Sequence, residues 1–165
     1  MEVRTYREGV AQMAGHDLII DVGQWHADAE VGDDGALSSL ELVVDPRSLR
    51  VREGLRGVKP LTDKDRRQIR EDIEGKVLGA EPISFRSTAL ESSGERLRAQ
   101  GELTLAGSTR PGSYELGISP QGRVHGTLAV TQTEFGIKPY RGFMGALKVR
   151  DTVEVAIDVQ LPSAG

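Results

Sequence analysis

Apolar residues recur at every second position in one segment after another of this chain. That period of two belongs to an antiparallel strand with one buried and one wet face, and it restricts the fold more than any other feature. The clearest case is "TVEVAIDVQL", in which Val153, Val155, Ile157, Val159 and Leu161 share a face. "RVHGTLAVTQ" places Val124, Gly126, Leu128 and Val130 inward, and "RAQGELTLAG" sets Leu103 and Leu105 against Glu102 and Thr104. "PISFRSTALE" reads as Ile83, Phe85, Ser87 and Ala89 on one face, followed by the hairpin-length loop "ESSGER". Nearer the N-terminus, Leu18, Ile20 and Val22 alternate with Asp17, Ile19 and Asp21, and Trp25, Ala27, Ala29 and Val31 with His26, Asp28 and Glu30. Gly23 between those two runs marks a bend or a tight pair. "LSSLELVVD" puts Leu40, Leu42 and Val44 on one face behind the turn "GDDG", and a short strand from Ser48 to Arg52 follows Pro46.

One segment departs from this pattern. "LTDKDRRQIREDIEGKVLG" offers Thr62 as an N-cap, Asp63 and Asp65 in the first turn, Ile69, Ile73 and Val77 at four-residue spacing, and Gly79 past the end. It predicts a helix near residues 62–78 with a single narrow apolar stripe, which lies across a sheet or plugs one end of it. The expectation is an all-β domain of about eight to ten strands, closed as a barrel or packed as a sandwich because open edges invite aggregation. At 165 residues, with no internal repeat or linker, the chain reads as one domain spanning 1–165.

Composition removes several functions. With 25 acidic and 21 basic residues the net charge is −4, which gives no general attraction to nucleic acid. The absence of cysteine excludes disulfides, thiolate catalysis and cysteine-ligated metals. The N-terminal stretch is charged from its second residue, and no apolar run reaches the roughly 20 residues that span a bilayer, so a cytoplasmic protein is expected. His26, Asp28 and Glu30 share a strand face, but that face is the wet one and no third or fourth metal ligand accompanies it. His125 reads the same way, and His16 in "AGHDL" reads as a hydrogen-bonding group that ties down an irregular start. Neither a nucleophile elbow, a phosphate-cradling glycine loop nor a zinc signature is present, so no catalysis and no cofactor are expected. An enzyme would require His16 to converge on a cavity with a carboxylate other than Asp17. Ala29, Ser87, Ala89, Gly101 and Gly126 at inward positions leave two options open: room for a ligand, or accommodation of tight packing.

The stretch "TEFGIKPYRGFMGALKVRD" crowds Phe135, Tyr140 and Phe143 together with glycines and Pro139. Together with "GHDL", "VLGAEPISFRST", "GELTLAGSTRP" and the continuation to Val159, it resembles the YceI-like, polyisoprenoid-binding proteins of bacteria across nearly the whole chain. The resemblance implies an extended antiparallel, lipocalin-like barrel with a helix near its middle. It also implies an apolar lipid as partner, an isoprenoid quinone or polyprenyl compound held in a tunnel without chemical change. Strand alternation then assigns the tunnel to Leu40, Leu42, Phe85, Leu103, Leu105, Leu128, Val155 and Ile157. Phe135, Tyr140, Phe143 and Met144 would form its mouth or wall, or a plug at one end. Many members of the family are exported, whereas this chain resembles a cytoplasmic branch. The competing reading is a packed structural or interaction barrel, stress-related and homodimeric, with no lipid.

Overall fold

Strands follow one another almost without interruption through residues 1–161, the part of the chain that the computed structural model describes. They are β1 (Glu2–Thr5), β2 (Arg7–Glu8), β3 (Asp17–Val22), β4 (Trp25–Val31), β5 (Leu37–Val44), β6 (Leu49–Leu55), β7 (Ile83–Ser93) and β8 (Arg96–Leu105). After them come β9 (Ser108–Ile118), β10 (Arg123–Thr131), β11 (Arg141–Gly142), β12 (Leu147–Val149) and β13 (Thr152–Gln160). The helix α1 (Asp63–Asp72) stands between β6 and β7 and continues with wider π-type turns over Ile73–Leu78. Among the described residues no helix is long and apolar enough to cross a membrane.

Ten strands form one antiparallel sheet in the order β4-β5-β7-β8-β9-β10-β13-β1-β3-β6, and β11, β12 and β2 form a small second sheet. The large sheet curls into a half-barrel of lipocalin-like form, as expected. Its edges, β4 and β6, do not pair with each other. They are drawn together at one end, where the Gly23–Gln24 link and the 45–48 turn cross from one side to the other: the Gly23 N–H donates to Ser48 O, the Asp45 N–H to Gln24 O, and Ser48 Oγ reaches Gln24 O at 3.4 Å.

The helix lies against this seam. Thr62 caps it through a reciprocal box with Asp65: the Asp65 N–H donates to Thr62 Oγ1, and the Thr62 N–H and hydroxyl donate to the Asp65 carboxylate. Those donations hold the Asp65 carboxyl below its ordinary range. Ile69, Ile73 and Leu78 pack against a cluster of Ile20, Val22, Val44, Leu49 and Val51, which draws on strands from both sides of the seam. A second cluster, Leu105, Val130, Phe135 and Ile137, closes the opposite region.

Several expectations from alternation change. In β7 a bulge between Ser87 and Ala89 inserts Thr88, so the face inverts: Ala89 is exposed and Leu90 half-buried. All of β4 is exposed, including Trp25, Ala27, Ala29 and Val31, because an edge strand has one neighbour and nothing covers its inner side. Residues 46–48 form a 3-10 turn, and the strand expected from Ser48 runs from Leu49 to Leu55. The stretch "STRPGSYELGI" forms β9. Its Pro111 is tolerated because β9 pairs with β10 only through Ile118 and Gly117, so at Pro111 no ladder bond to β10 is lost.

Nor do the small inward residues make empty space. Gly101 and Gly112 face each other across β8 and β9, and they lie beneath the Phe85 and Tyr114 rings, which meet edge to face at 5.7 Å. A Cβ on Gly101 would stand 2.6 Å from Phe85 Cζ, and one on Gly126 would stand 2.7 Å from Leu116 Cδ2. Ser87 Oγ accepts the Leu40 N–H. Gly101→Ala therefore forces a methyl against the Phe85 ring and the Arg86 carbonyl. Urea denaturation is expected to show a loss of about 1–3 kcal/mol, the usual range for overpacking.

Candidate functional site

Between the curled sheet and the helix lies an apolar chamber of about 240 Å³. Thr5, Tyr114 and Gln132 are the only polar side chains in its wall; Leu, Val, Ile, Met, Ala and Phe make up the rest. Burial pushes the Tyr114 phenol up from its ordinary pKa. The helix contributes Ile73, Val77 and Leu78 from its π-type turns.

The chamber adjoins a second cavity of about 430 Å³, and Thr5, Ile20, Ile73, Val77 and Gln132 line both. This vestibule is mixed in character: Leu18, Leu61, Ile69 and Leu147 share its wall with Arg7, His16, Lys59, Asp65, Asp72, Tyr140 and Lys148. Most of its polar groups are already engaged. His16 Nε2 meets the Lys59 carbonyl at 2.6 Å, which assigns the proton to Nε2, and this contact fills the space above Gly57. Arg7 Nη1 donates to the Gly15 and Arg56 carbonyls. Asp65 belongs to the helix cap, and Asp72 pairs with Lys76 at 2.6 Å. His16 thus shares a cavity with carboxylates other than Asp17, namely those of Asp65 and Asp72, and each of the three groups has a structural partner.

Leu40, Leu42, Phe85 and Leu103 line the chamber, as do Leu105, Leu128, Val155 and Ile157. The aromatic stretch is distributed differently. Phe135, only 5% exposed, packs with Leu105, Val130 and Ile137 behind the chamber wall, while Ile137 itself reaches the chamber. Tyr140 faces the vestibule, with Lys76 Nζ over its ring at 5.8 Å. Phe143 and Met144 line neither cavity; they project outward, 66% and 108% exposed, from a short turn beside β11. Both residues adopt positive φ within that turn.

Sequence reasoning missed the residues at the junction. Gln132 continues the inward alternation of Val124, Gly126, Leu128 and Val130 by one further step, and Thr5 continues that of Val3. A polar residue at the end of an apolar face was the available signal. His26 Nε2 lies 2.8 Å from Asp28 on the exposed edge strand, and no group of three or more possible metal ligands gathers among the described residues.

The family model for the YceI-like domain matches residues 5–161. The chain belongs to the YceI-like family. No protein of curated function matches the sequence. Among solved structures it is similar to BcnA of Burkholderia cenocepacia, with a TM-score of 0.66 and 15% identity over 95% of this chain and 93% of that one. It is also similar to the Campylobacter jejuni YceI protein, with a TM-score of 0.58 and 12% identity over 85% of this chain and 81% of that one. At such identities the likeness speaks for the fold alone.

In this YceI-like barrel the aromatic stretch therefore divides into a buried part and an outer part, with opposite consequences for stability. Phe135→Ala is expected to lower the unfolding free energy by about 3–5 kcal/mol, the range for emptying a buried aromatic site. Met144→Ser is expected to change it by less than about 0.5 kcal/mol. Urea titrations of the two variants check the placement, and equal effects would contradict it.

Proposed function

We propose that this YceI-like chain binds and carries, without altering it, a lipid with a long isoprenoid-type tail, of the quinone or polyprenyl class. The tail occupies the chamber and the head the vestibule. The observation that carries this reading is the shared wall at Thr5, Ile20, Ile73, Val77 and Gln132, across which the lining passes from almost wholly apolar to mixed. An amphiphile with one long apolar end matches that gradient. Transfer of each CH₂ from water contributes roughly 0.8 kcal/mol, so a prenyl tail needs length and dryness more than specific contacts. Pockets for small molecules commonly measure roughly 300–1,000 Å³, and the two joined spaces fall on that scale, which argues against a barrel packed shut. The structural engagement of His16, Asp65 and Asp72 supports binding over catalysis.

Native mass spectrometry of freshly purified protein, followed by organic extraction, is expected to release a lipid of this class. Protein stripped of it is expected to take up polyprenols or prenylated quinones. A chain that arrives empty and takes up neither would sink the reading. Leu103→Trp, which fills the chamber from its wall, is expected to abolish uptake while leaving the circular dichroism spectrum unchanged.

A further inference from the structure

Gln132 is 6% exposed and lines both cavities. Its Nε2 donates to the carbonyls of Arg150 at 3.1 Å and Asp151 at 3.3 Å. Because both partners only accept, that end of the amide is the nitrogen and the other end is the carbonyl oxygen. The backbone around it is clamped as well. The Gln132 N–H donates to Asp151 O at 3.0 Å, and Thr133 donates through its N–H and hydroxyl to the Asp151 carboxylate at 2.9 and 2.6 Å. Oε1 receives no hydrogen bond from any described residue, yet among those residues no enclosed side-chain oxygen is left unpartnered. The oxygen therefore keeps accessible surface, on a residue that stands where the two cavities join.

We propose that Gln132 Oε1 accepts a hydrogen bond from the ligand's head, so that this chain selects lipids headed by a hydroxyl over analogues that lack a donor. The inference rests on the carrier reading above and adds the chemistry of the head. A phenol, quinol or alcohol donates its O–H to Oε1, whereas a quinone carbonyl would set acceptor against acceptor and leave a buried oxygen unpaired. The neighbouring hydroxyls of Thr5, Tyr114 and Tyr140 rotate to donate or accept and discriminate little. The vestibule cations Arg7, Lys59 and Lys148 stand on walls that the chamber does not share, and Arg7 is already engaged by the Gly15 and Arg56 carbonyls.

Three probes of one tail length separate the possibilities on the unaltered protein: a prenylated phenol, its O-methyl ether and the prenylbenzene without oxygen. The phenol is expected to bind about tenfold more tightly than the other two, a factor typical of one hydrogen bond in a dry site. In Gln132→Met the three affinities are expected to converge. Equal affinities on the unaltered protein would overturn the inference and leave the carrier reading intact. Failure of all three to bind would remove both.

A separate group of residues points outward. Phe143, Met144, Val10 and Met13 are exposed at 66%, 108%, 95% and 59%. The two turns that bear them are tied by the Ala11 N–H to Ala146 O bond at 2.9 Å. They flank the vestibule, whose wall includes Ala14, Gly15, Tyr140, Leu147 and Lys148. Around this apolar tip bases predominate: from Tyr140 to Arg150 the chain carries Arg141, Lys148 and Arg150 and no acid, and the adjoining strand sets one exposed acid, Glu8, opposite Lys148, although the net charge of the chain is −4. None of the three forms an ion pair among the described residues. We infer that this tip docks on an anionic lipid bilayer, with the apolar side chains entering the acyl boundary and the bases meeting the head groups. The vestibule then faces the source of its ligand.

Co-sedimentation with phosphatidylcholine vesicles, with and without phosphatidylglycerol, tests the inference. Binding is expected only with the anionic lipid, weakening as salt rises and falling about tenfold in the Phe143→Ser, Met144→Ser double variant. Uptake of detergent-dispersed prenylated phenol by that variant is expected to stay unchanged. Vesicle binding indifferent to the double substitution, or no binding at all, would overturn the inference. A doubled mass in solution that the double variant abolishes would do the same, because a second copy would then cover the tip.

Discussion

The ten-stranded sheet leaves its two edges unpaired, and the rest of the architecture is arranged around that gap. A closed barrel removes its edges by pairing them. Here the loops near Gln24, Asp45 and Ser48 join the two sides at one end, and a helix occupies the space between them. Its apolar stripe is too narrow to fill that space. Ile73, Val77 and Leu78 remain partly uncovered, and the volume they leave is the chamber. The cavity thus arises from incomplete closure, with Gly101 and Gly126 already covered by Phe85 and Leu116.

Much of this was legible in the sequence where one residue's pattern sufficed. The alternation in β10 and β13 and the Thr62 cap with its apolar stripe report local geometry directly, and the inward faces assigned from them reach the chamber. The failures share a cause: alternation states which residues share a face but not what the face meets. Trp25, Ala27, Ala29 and Val31 do share a face, on an edge strand with nothing against it. One inserted residue, Thr88, reverses the sides in β7 without leaving a mark in composition. Pro111 lies in β9 at a position where β10 has already departed, and alternation carries no information about that departure. Gln132 carried a signal that depended on extending the β10 alternation one step past the strand's end.

The stretch from Gln132 to Asp151 gathers several tasks in few residues. Its start and finish are fastened to each other through Gln132, Thr133 and Asp151, which lets the intervening chain travel far from the barrel without loosening the wall. Phe135 and Ile137 are committed to the core before the excursion begins, and Tyr140 marks the passage outward along the vestibule. Bulk in this segment therefore serves different surroundings within nine residues, and aromatic density alone gave no way to separate them.

The sparse pairing of β9 with β10 also bears on the mechanics of the molecule. It divides the sheet into two five-stranded leaves, β4-β5-β7-β8-β9 and β10-β13-β1-β3-β6, each laddered within itself and interrupted by local register shifts. They meet along a short hinge at Gly117, Ile118, Val124 and His125, with the Arg110 to Glu134 bond bridging the widening part. Each leaf therefore keeps its own hydrogen bonds with little help from the other, and apolar packing by the helix stripe and by Phe135 and Ile137 carries much of the join between them.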